Sequence, residues 1–240
     1  MNLVIDYGNS AAKVGIFDHQ NLMEKQVVQS EEALKNFFTT CEPENIIVSS
    51  VKTNAGVVAS WVKVKGRKFI LDKDLPMPVK NLYKTPETLG VDRLAGVCGA
   101  QQIFPFQNCL VIDAGTCITY DFVDKDGAYY GGGISPGLRM RFQAMHTLTA
   151  RLTLVELADE VNLIGDSTET SLQSGTIHGA VAEIEGIIQR YQSQFAGLKV
   201  ILCGGDTLFF ENKLKASIFA SPELVLVGLN SILNYNVTLK

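Results

Sequence analysis

At 240 residues the chain is long enough to bury a substantial core, and its 46% hydrophobic and 19% charged content excludes disorder, a collagen-like repeat and a disulfide scaffold. Twenty-one basic against twenty-five acidic residues give a formal charge of −4 with no long Lys/Arg run, which argues against nucleic acid as a partner. No stretch approaches a membrane span, Asp6 interrupts the first apolar run too early for a secretory leader, and the reading is a cytoplasmic protein with no membrane partner.

The elements open with a predicted β-hairpin, Val4 to Ser10 entering a turn and Ala12 to Phe17 leaving it. Ser30 to Thr39 follows as a helix, with Ser30 as its cap and Ala33, Leu34, Phe37 and Phe38 at helical spacing. Ile46 to Val51 is a short buried strand. Residues 71–87 hold Pro76, Pro78 and Pro86 and read as a loop-rich connection of the kind that carries function. Leu94 to Phe104 is a buried helix. Gly175 to Phe195 is a long helix, Lys199 to Cys203 a buried strand ending in Gly204-Gly205-Asp206, and Glu223 to Asn234 a closing helix.

Leu110 to Thr116 repeats Leu3 to Asn9 at an offset of 107 residues, with five of the seven positions identical. Each copy precedes another strand-like run, Lys13 to Phe17 and Ile118 to Val123, so a whole supersecondary unit is duplicated. This predicts two related α/β lobes, residues 1–105 and 106–240.

A single Asp-x-Gly turn is also what a plain hairpin demands. Two copies ending matching strands point to a shared ligand instead, and their chemistry suits a nucleoside triphosphate: glycine turns admit phosphate oxygens to backbone N–H groups while carboxylates hold Mg²⁺. Asp6 and Asp113 are the candidate carboxylates, and Asn9, Ser10 and Thr116 the candidate phosphate donors. Lys13 either neutralises charge there or faces solvent. Gly204-Gly205 either lets an adenine or ribose approach the backbone or simply makes a turn. There is no G-x-x-x-x-G-K-[ST] loop and no protein-kinase motif set. Five scattered cysteines without a C-x-x-C pair read as free thiols, and His19, His146 and His178 give little material for a histidine metal site or a catalytic triad.

The duplicated turns with the terminal Gly-Gly-Asp resemble the actin, sugar kinase and heat-shock ATPase superfamily. More narrowly, Asp6 through Lys13, Asn81-Leu82-Tyr83, Leu89 to Arg93, Asp113 to Thr116, Gly131 to Gly137, Thr168 to Gly175 and Gly204 to Asp206 resemble, in order and spacing, the type III pantothenate kinases. The resemblance implies two ribonuclease-H-like, actin-like ATPase lobes with a nucleotide cleft between them, and phosphorylation of pantothenate at the first step of coenzyme A biosynthesis. It implies ATP on Asp6, Tyr7, Gly8, Asn9, Ser10, Ala11, Ala12, Lys13, Thr116, Gly204 and Gly205, with Mg²⁺ as divalent metal and Asp6 and Asp113 as metal-binding residues. A monovalent cation, K⁺ or NH₄⁺, is implied at Asp113.

For the acceptor, the resemblance implies contacts from Tyr83, Gly90, Val91, Asp92, Arg93 and Thr168, with Asp92 as the base, and a homodimer with the substrate near the subunit contact. Arg93 suits the pantothenate carboxylate, since its fork binds two oxygens at once. By spacing alone Asp92 reads sooner as a helix cap, with Arg93 paired on the surface, and Thr168 equally as a cap; Gly131 to Gly137 is open between a phosphate or substrate loop and packing. The chain departs from the family at Ser10, often Thr, at Cys117, often Ala, and at Cys203, often Thr; all are small-for-small changes. The rival readings are a regulatory ATP-binding module of the same fold and another small-molecule kinase of the superfamily.

Overall fold

The Leu-Val-Ile run near the N-terminus forms β1 (Asn2–Tyr7), antiparallel to β2 (Ala12–Asp18) and parallel to β4 (Asn45–Ser50). In this computed structural model, which describes every residue except Asn9, Ser10, Lys52 and Lys240, β3 (Asn21–Val28) and β5 (Lys68–Ile70) complete a sheet of order β3-β2-β1-β4-β5. β1 and β4 are buried on both faces, which is why they read as continuous apolar runs rather than alternations. One face presents Leu3, Ile5, Tyr7, Val14, Ile46 and Val48 to α1 (Glu31–Phe38) and α2 (Ala55–Ser60). The Ser30 hydroxyl accepts from the Ala33 amide and caps α1, as its sequence position predicts.

The other face is covered by α7 (Leu224–Thr238), which in turn packs on α3 (Val91–Ile103). The two helices meet backbone to backbone: a side chain at Gly228 would collide with the Ala95 carbonyl, and one at Gly99 with the Leu224 carbonyl. Buried Asn2 fastens β1 to α7, its amide donating to Asn230 Oδ1 at 3.0 Å and Asn234 Oδ1 at 2.8 Å. Accordingly the first unit comprises Met1–Phe106, Asp126–Tyr130 and Glu223–Lys240, and the second Gln107–Lys125 and Gly131–Pro222. The chain therefore returns to its first unit, where the sequence division had two consecutive stretches. Within residues 71–87 only the short β6 (Lys80–Asn81) and a 3₁₀ turn at Pro86–Thr88 are regular. β6 pairs with the start of β9 (Ala128–Pro136) at Ala128 and Tyr129.

The second unit repeats the scheme of the first. β7 (Cys109–Ala114) lies antiparallel to β8 (Cys117–Val123) and parallel to β10 (Lys199–Cys203), within the order β11-β10-β7-β8-β9, where β11 is Phe219–Ala220. Leu110, Ile112, Ile118, Leu138, Ile177, Ile184, Leu202 and Phe210 form its core, joining the sheet to α4 (Leu138–Leu148), α5 (Thr168–Gln194) and α6 (Thr207–Glu211).

One expectation changes here: α5 begins at Thr168 rather than Gly175, because Ser167 and Thr170 form a capping box ahead of the apolar periodicity. The glycine run, left open between a loop and packing, lies in a strand from Gly131 to Pro136, and Gly137 precedes α4. A side chain at Gly132 would strike the Tyr120 carbonyl, and one at Gly137 the Gly115 and Thr116 carbonyls, so these glycines serve close backbone packing.

Among the described residues no helix is long and apolar enough to cross a membrane. None of the five cysteines, all of them among the described residues, forms a disulfide. Burial pushes the Cys98 thiol up and the Cys109 thiol up to about 12, leaving both unreactive.

Candidate functional site

In the first unit the site grows from the end of β1. Asp6 pairs in register with Lys13 on β2 and with Ser49 on β4, and cross-strand partners share a face of the sheet, so all three side chains lie together. Burial pushes the Asp6 carboxyl above its ordinary value; Lys13 pulls it down, the charge of Asp92 pushes it up, and a hydrogen bond with Ser49 lowers it. The net upward shift is set by burial: the Lys13 charge offsets more than the charge of Asp92 adds, and desolvation still outweighs the favourable contacts. The Gly8 amide donates to the Ala11 carbonyl at 3.1 Å, closing the turn beyond. Tyr7 and Ala12 send their side chains into the apolar core, which leaves backbone for any nucleotide contact they make. Asn9 and Ser10 lie outside the described residues.

Asp92 stands in the first turn of α3, where the helix N-terminus attracts negative charge, near enough for its charge to act on Asp6. Gly90 caps that helix without a side chain; the Arg93 amide donates to the Gly90 carbonyl at 3.2 Å and to Asp92 Oδ1 at 2.9 Å. The Arg93 guanidinium stands over the Tyr83 ring, 5.7 Å from its centroid, and Tyr83 stacks on Tyr129 at 6.3 Å and 22°. Tyr83 is placed by two backbone hydrogen bonds: its own amide donates to Asn81 Oδ1 at 2.9 Å, and the Leu82 amide to the Tyr129 carbonyl at 2.9 Å. Tyr83, Gly90, Val91, Asp92 and Arg93 thus gather at one end of α3. Tyr129 was not picked out in the sequence. Its only signal there was an aromatic pair, Tyr129-Tyr130, just before the glycine run.

In the second unit Asp113 holds the place on β7 that Asp6 holds on β1, with Thr119 and Cys203 as its register partners. Gly204, at φ +95°, lies where any side chain would strike the Ala114 carbonyl and Asp113 Oδ1. The turn is pinned by the Asp206 amide to the Ala114 carbonyl at 2.9 Å and by the Thr207 hydroxyl to the Gly204 carbonyl at 2.7 Å. Gly205 is open, with no atom within 4 Å of the space a side-chain carbon would occupy. Exposed Thr116 borders a cavity of about 670 Å³ with Gly115, Arg139, Gln143 and Thr147. Thr168 opens α5 and lines a second cavity of about 800 Å³ with Met140, Arg141, Met145 and Leu172.

Arg141 is held by a clamp that the sequence did not reveal. Glu183 on α5 accepts from the Tyr120 hydroxyl at 2.8 Å, the Ser135 hydroxyl at 2.5 Å and Arg141 Nη2 at 2.6 Å. Burial works to raise the Glu183 carboxyl, but the bonds from Arg141, Ser135 and Tyr120 outweigh it and hold the group below the usual carboxylate range. A depressed carboxyl contributes stability above its unfolded pKa and loses it as pH falls through the folded one. Glu183→Gln is therefore expected to cost about 1–3 kcal/mol at neutral pH. Thermal melts should show that deficit shrinking in acid; an equal deficit at pH 7 and in acid would mean the charge does not matter.

No group of three or more His, Cys, Asp or Glu among the described residues is arranged to hold a metal. Magnesium in a phosphoryl-transfer site needs less, since it takes one or two carboxylates and completes its shell with waters and substrate phosphates. Asp6, a carboxylate at the strand-end turn, fits that need.

A family model for type III pantothenate kinase matches residues 2–190. The type III pantothenate kinase of Phocaeicola vulgatus is 46% identical over 239 residues, covering 98% of this chain and 99% of its own. Among solved structures, a conserved Campylobacter jejuni protein assigned to the Baf family of transcriptional activators matches with a TM-score of 0.64 at 21% identity, over 99% of this chain and 100% of its own. The Lmo2764 protein of Listeria monocytogenes, assigned as an N-acetylmannosamine kinase, matches with a TM-score of 0.56 at 12% identity, over 99% of each chain. At such identities the two structures speak for the fold alone, which is the two-lobed architecture of actin-like ATPases and sugar kinases.

Proposed function

We infer, because the chain belongs to the type III pantothenate kinase family, that it transfers the γ-phosphoryl group of ATP to the primary hydroxyl of pantothenate, giving 4′-phosphopantothenate on the way to coenzyme A. The observation that supports this most directly is that Asp6, at the strand-end turn, lies within electrostatic range of Asp92, at the head of α3 beside Arg93 and Tyr83. It brings a carboxylate suited to a metal–phosphate complex next to a set suited to an acidic alcohol.

Phosphoryl transfer depends on alignment and charge neutralisation more than on covalent help. In this reading Asp92 orients the pantothenate hydroxyl and accepts its proton. Asp92 Oδ1 is already engaged by the Arg93 amide, so Oδ2 is the oxygen offered to the acceptor. Arg93 binds the pantothenate carboxylate, its fork aligned by the Tyr83 ring, and Gly90, Val91 and Thr168 complete the acceptor contacts. Gly8 to Lys13, Thr116, Gly204 and Gly205 hold the nucleotide. Asp6 and Asp113 hold metal, with Mg²⁺ supplying charge neutralisation on the phosphates and a monovalent cation placed at Asp113. The enzyme acts in the cytoplasm as a homodimer with the acceptor near the subunit contact, a reading to which the exposed Leu148, Leu163 and Ile164 lend apolar surface.

The test is a coupled ADP-release assay with Mg-ATP and K⁺, comparing pantothenate with glycerol, hexoses and acetate. Turnover confined to pantothenate is expected. Turnover on a hexose or acetate instead would give the protein to another branch of the superfamily, and nucleotide binding without any acceptor-dependent turnover would make it a regulatory module. Exchanging K⁺ for Na⁺ should slow the pantothenate reaction; equal rates in the two salts would remove the monovalent cation from the scheme.

A further inference from the structure

The duplicated turns differ in one respect that bears on charge. On β1 the strand partner of Asp6 is Lys13, a cation built into the sheet, whereas on β7 the partner of Asp113 is the neutral Thr119. The turn at Gly115-Thr116 therefore has no lysine in its own hairpin. A cation reaches it from elsewhere in the second unit: Arg139, in the first turn of α4, lines the same cavity as Gly115 and Thr116.

Arg139 is not a loose surface side chain. Its Nη1 donates to Asp206 Oδ1 at 3.1 Å, and Asp206 is buried, with its amide fixed to the Ala114 carbonyl at the end of β7. The anchor is 8% exposed while the arginine is 74% exposed, so one edge of the guanidinium is tethered and the rest stands open at the cavity. Along the same side of α4, Gln143 and Thr147 continue a polar row, joined by a hydrogen bond of 2.9 Å. Arginine presents several N–H donors in a rigid fork that matches phosphate oxygens, and tethering removes part of the entropy cost of using it.

We propose that Arg139, held by Asp206, is a nucleotide-binding residue that contacts the phosphate chain beside Thr116 and supplies the positive charge that Lys13 supplies at the first turn. The proposal rests on the kinase reading, in which Thr116 belongs to the nucleotide site.

The experiment is calorimetric titration of the purified full chain with Mg-ATP, Mg-ADP and AMP, without pantothenate, for wild type, Arg139→Ala and Arg139→Lys. Arg139→Ala is expected to weaken Mg-ATP binding about tenfold or more, to weaken Mg-ADP binding less, and to leave AMP unchanged, with Arg139→Lys intermediate. Because a mostly exposed ion pair adds little to stability, both variants should melt close to wild type. Unchanged Mg-ATP affinity in Arg139→Ala would overturn the proposal, and so would an equal loss for all three nucleotides. Failure of the kinase reading is read separately, from wild type that binds nucleotide but does not turn over pantothenate. Wild type that binds no nucleotide would overturn both.

Discussion

Asp92→Asn is expected to keep Mg-ATP binding near the wild-type level while lowering kcat roughly 10²–10⁴-fold, the range for loss of a general base. The substitution is nearly isosteric, and the oxygen of the introduced carboxamide can still accept from the Arg93 amide as Asp92 Oδ1 does, so α3 should start unchanged. What disappears is a negative charge and a proton acceptor. Because Asp92 is among the groups that push the Asp6 carboxyl up, its neutralisation should let Asp6 relax downward. Protons compete with metal for Asp6, so the acid limb of Mg-ATP affinity should move to lower pH in the variant. Two independent readings thus come from one substitution. A near-normal kcat would take the base role from Asp92, and an unmoved acid limb would deny its coupling to Asp6.

Gly204→Ala should be the most damaging change in the second unit. A side-chain carbon there meets the backbone carbonyl of Ala114, fixed in β7, and the Asp113 carboxylate, which it would push aside, and the backbone stands at φ +95° where alanine is strained. Backbone strain and overpacking together come to roughly 2–5 kcal/mol, a large part of what holds a domain folded. For a chain of this size that corresponds to a loss of roughly 5–15 °C in melting temperature. Gly205→Ala is the control, since its side chain would enter open space and should leave the melt within a few degrees of wild type. If both variants melt alike, the contact between the glycine turn and Asp113 has been misjudged. Where the Gly204 variant still folds, displacement of Asp113 should weaken nucleotide binding as well.

The sequence disclosed those parts of the fold whose signals are local. The β1–β2 hairpin, its repeat at β7–β8, the capped helix after Ser30 and the β10 strand each follow from a short pattern that tertiary contacts reinforce. β3 went unseen because Asn21 to Val28 is mostly exposed and its apolar residues do not alternate with its polar ones; it is an edge strand, recruited by pairing with β2 rather than by an apolar face. β5 and α2 are too short to develop a period. α4 was hidden behind the glycine run, whose residues look like loop and are in fact the condition for β9 and the start of α4 to lie against backbone.

For the site, the motif residues around Asp92 stood out, and the structure of the first unit gathers them. Tyr129, the Glu183 clamp and the Arg139–Asp206 tether were not legible, because each depends on residues 42 or more positions apart in sequence with no pattern to join them: Tyr83 with Tyr129, Arg141 with Glu183, Arg139 with Asp206. Such pairings are products of topology. They can be named only once the sheets bring the strands together.

The placement of α7 governs how the protein can be made. Its apolar side covers the face of the first sheet that carries Val4, Gly15, Phe17 and Ile47, yet it is translated only after the entire second unit. On the ribosome the later-encoded unit can therefore bury its core first, while the earlier one waits with an open apolar surface. Maturation should run in the reverse of coding order, with the half-built N-terminal sheet the natural client for chaperones until Leu224–Thr238 emerges to close it.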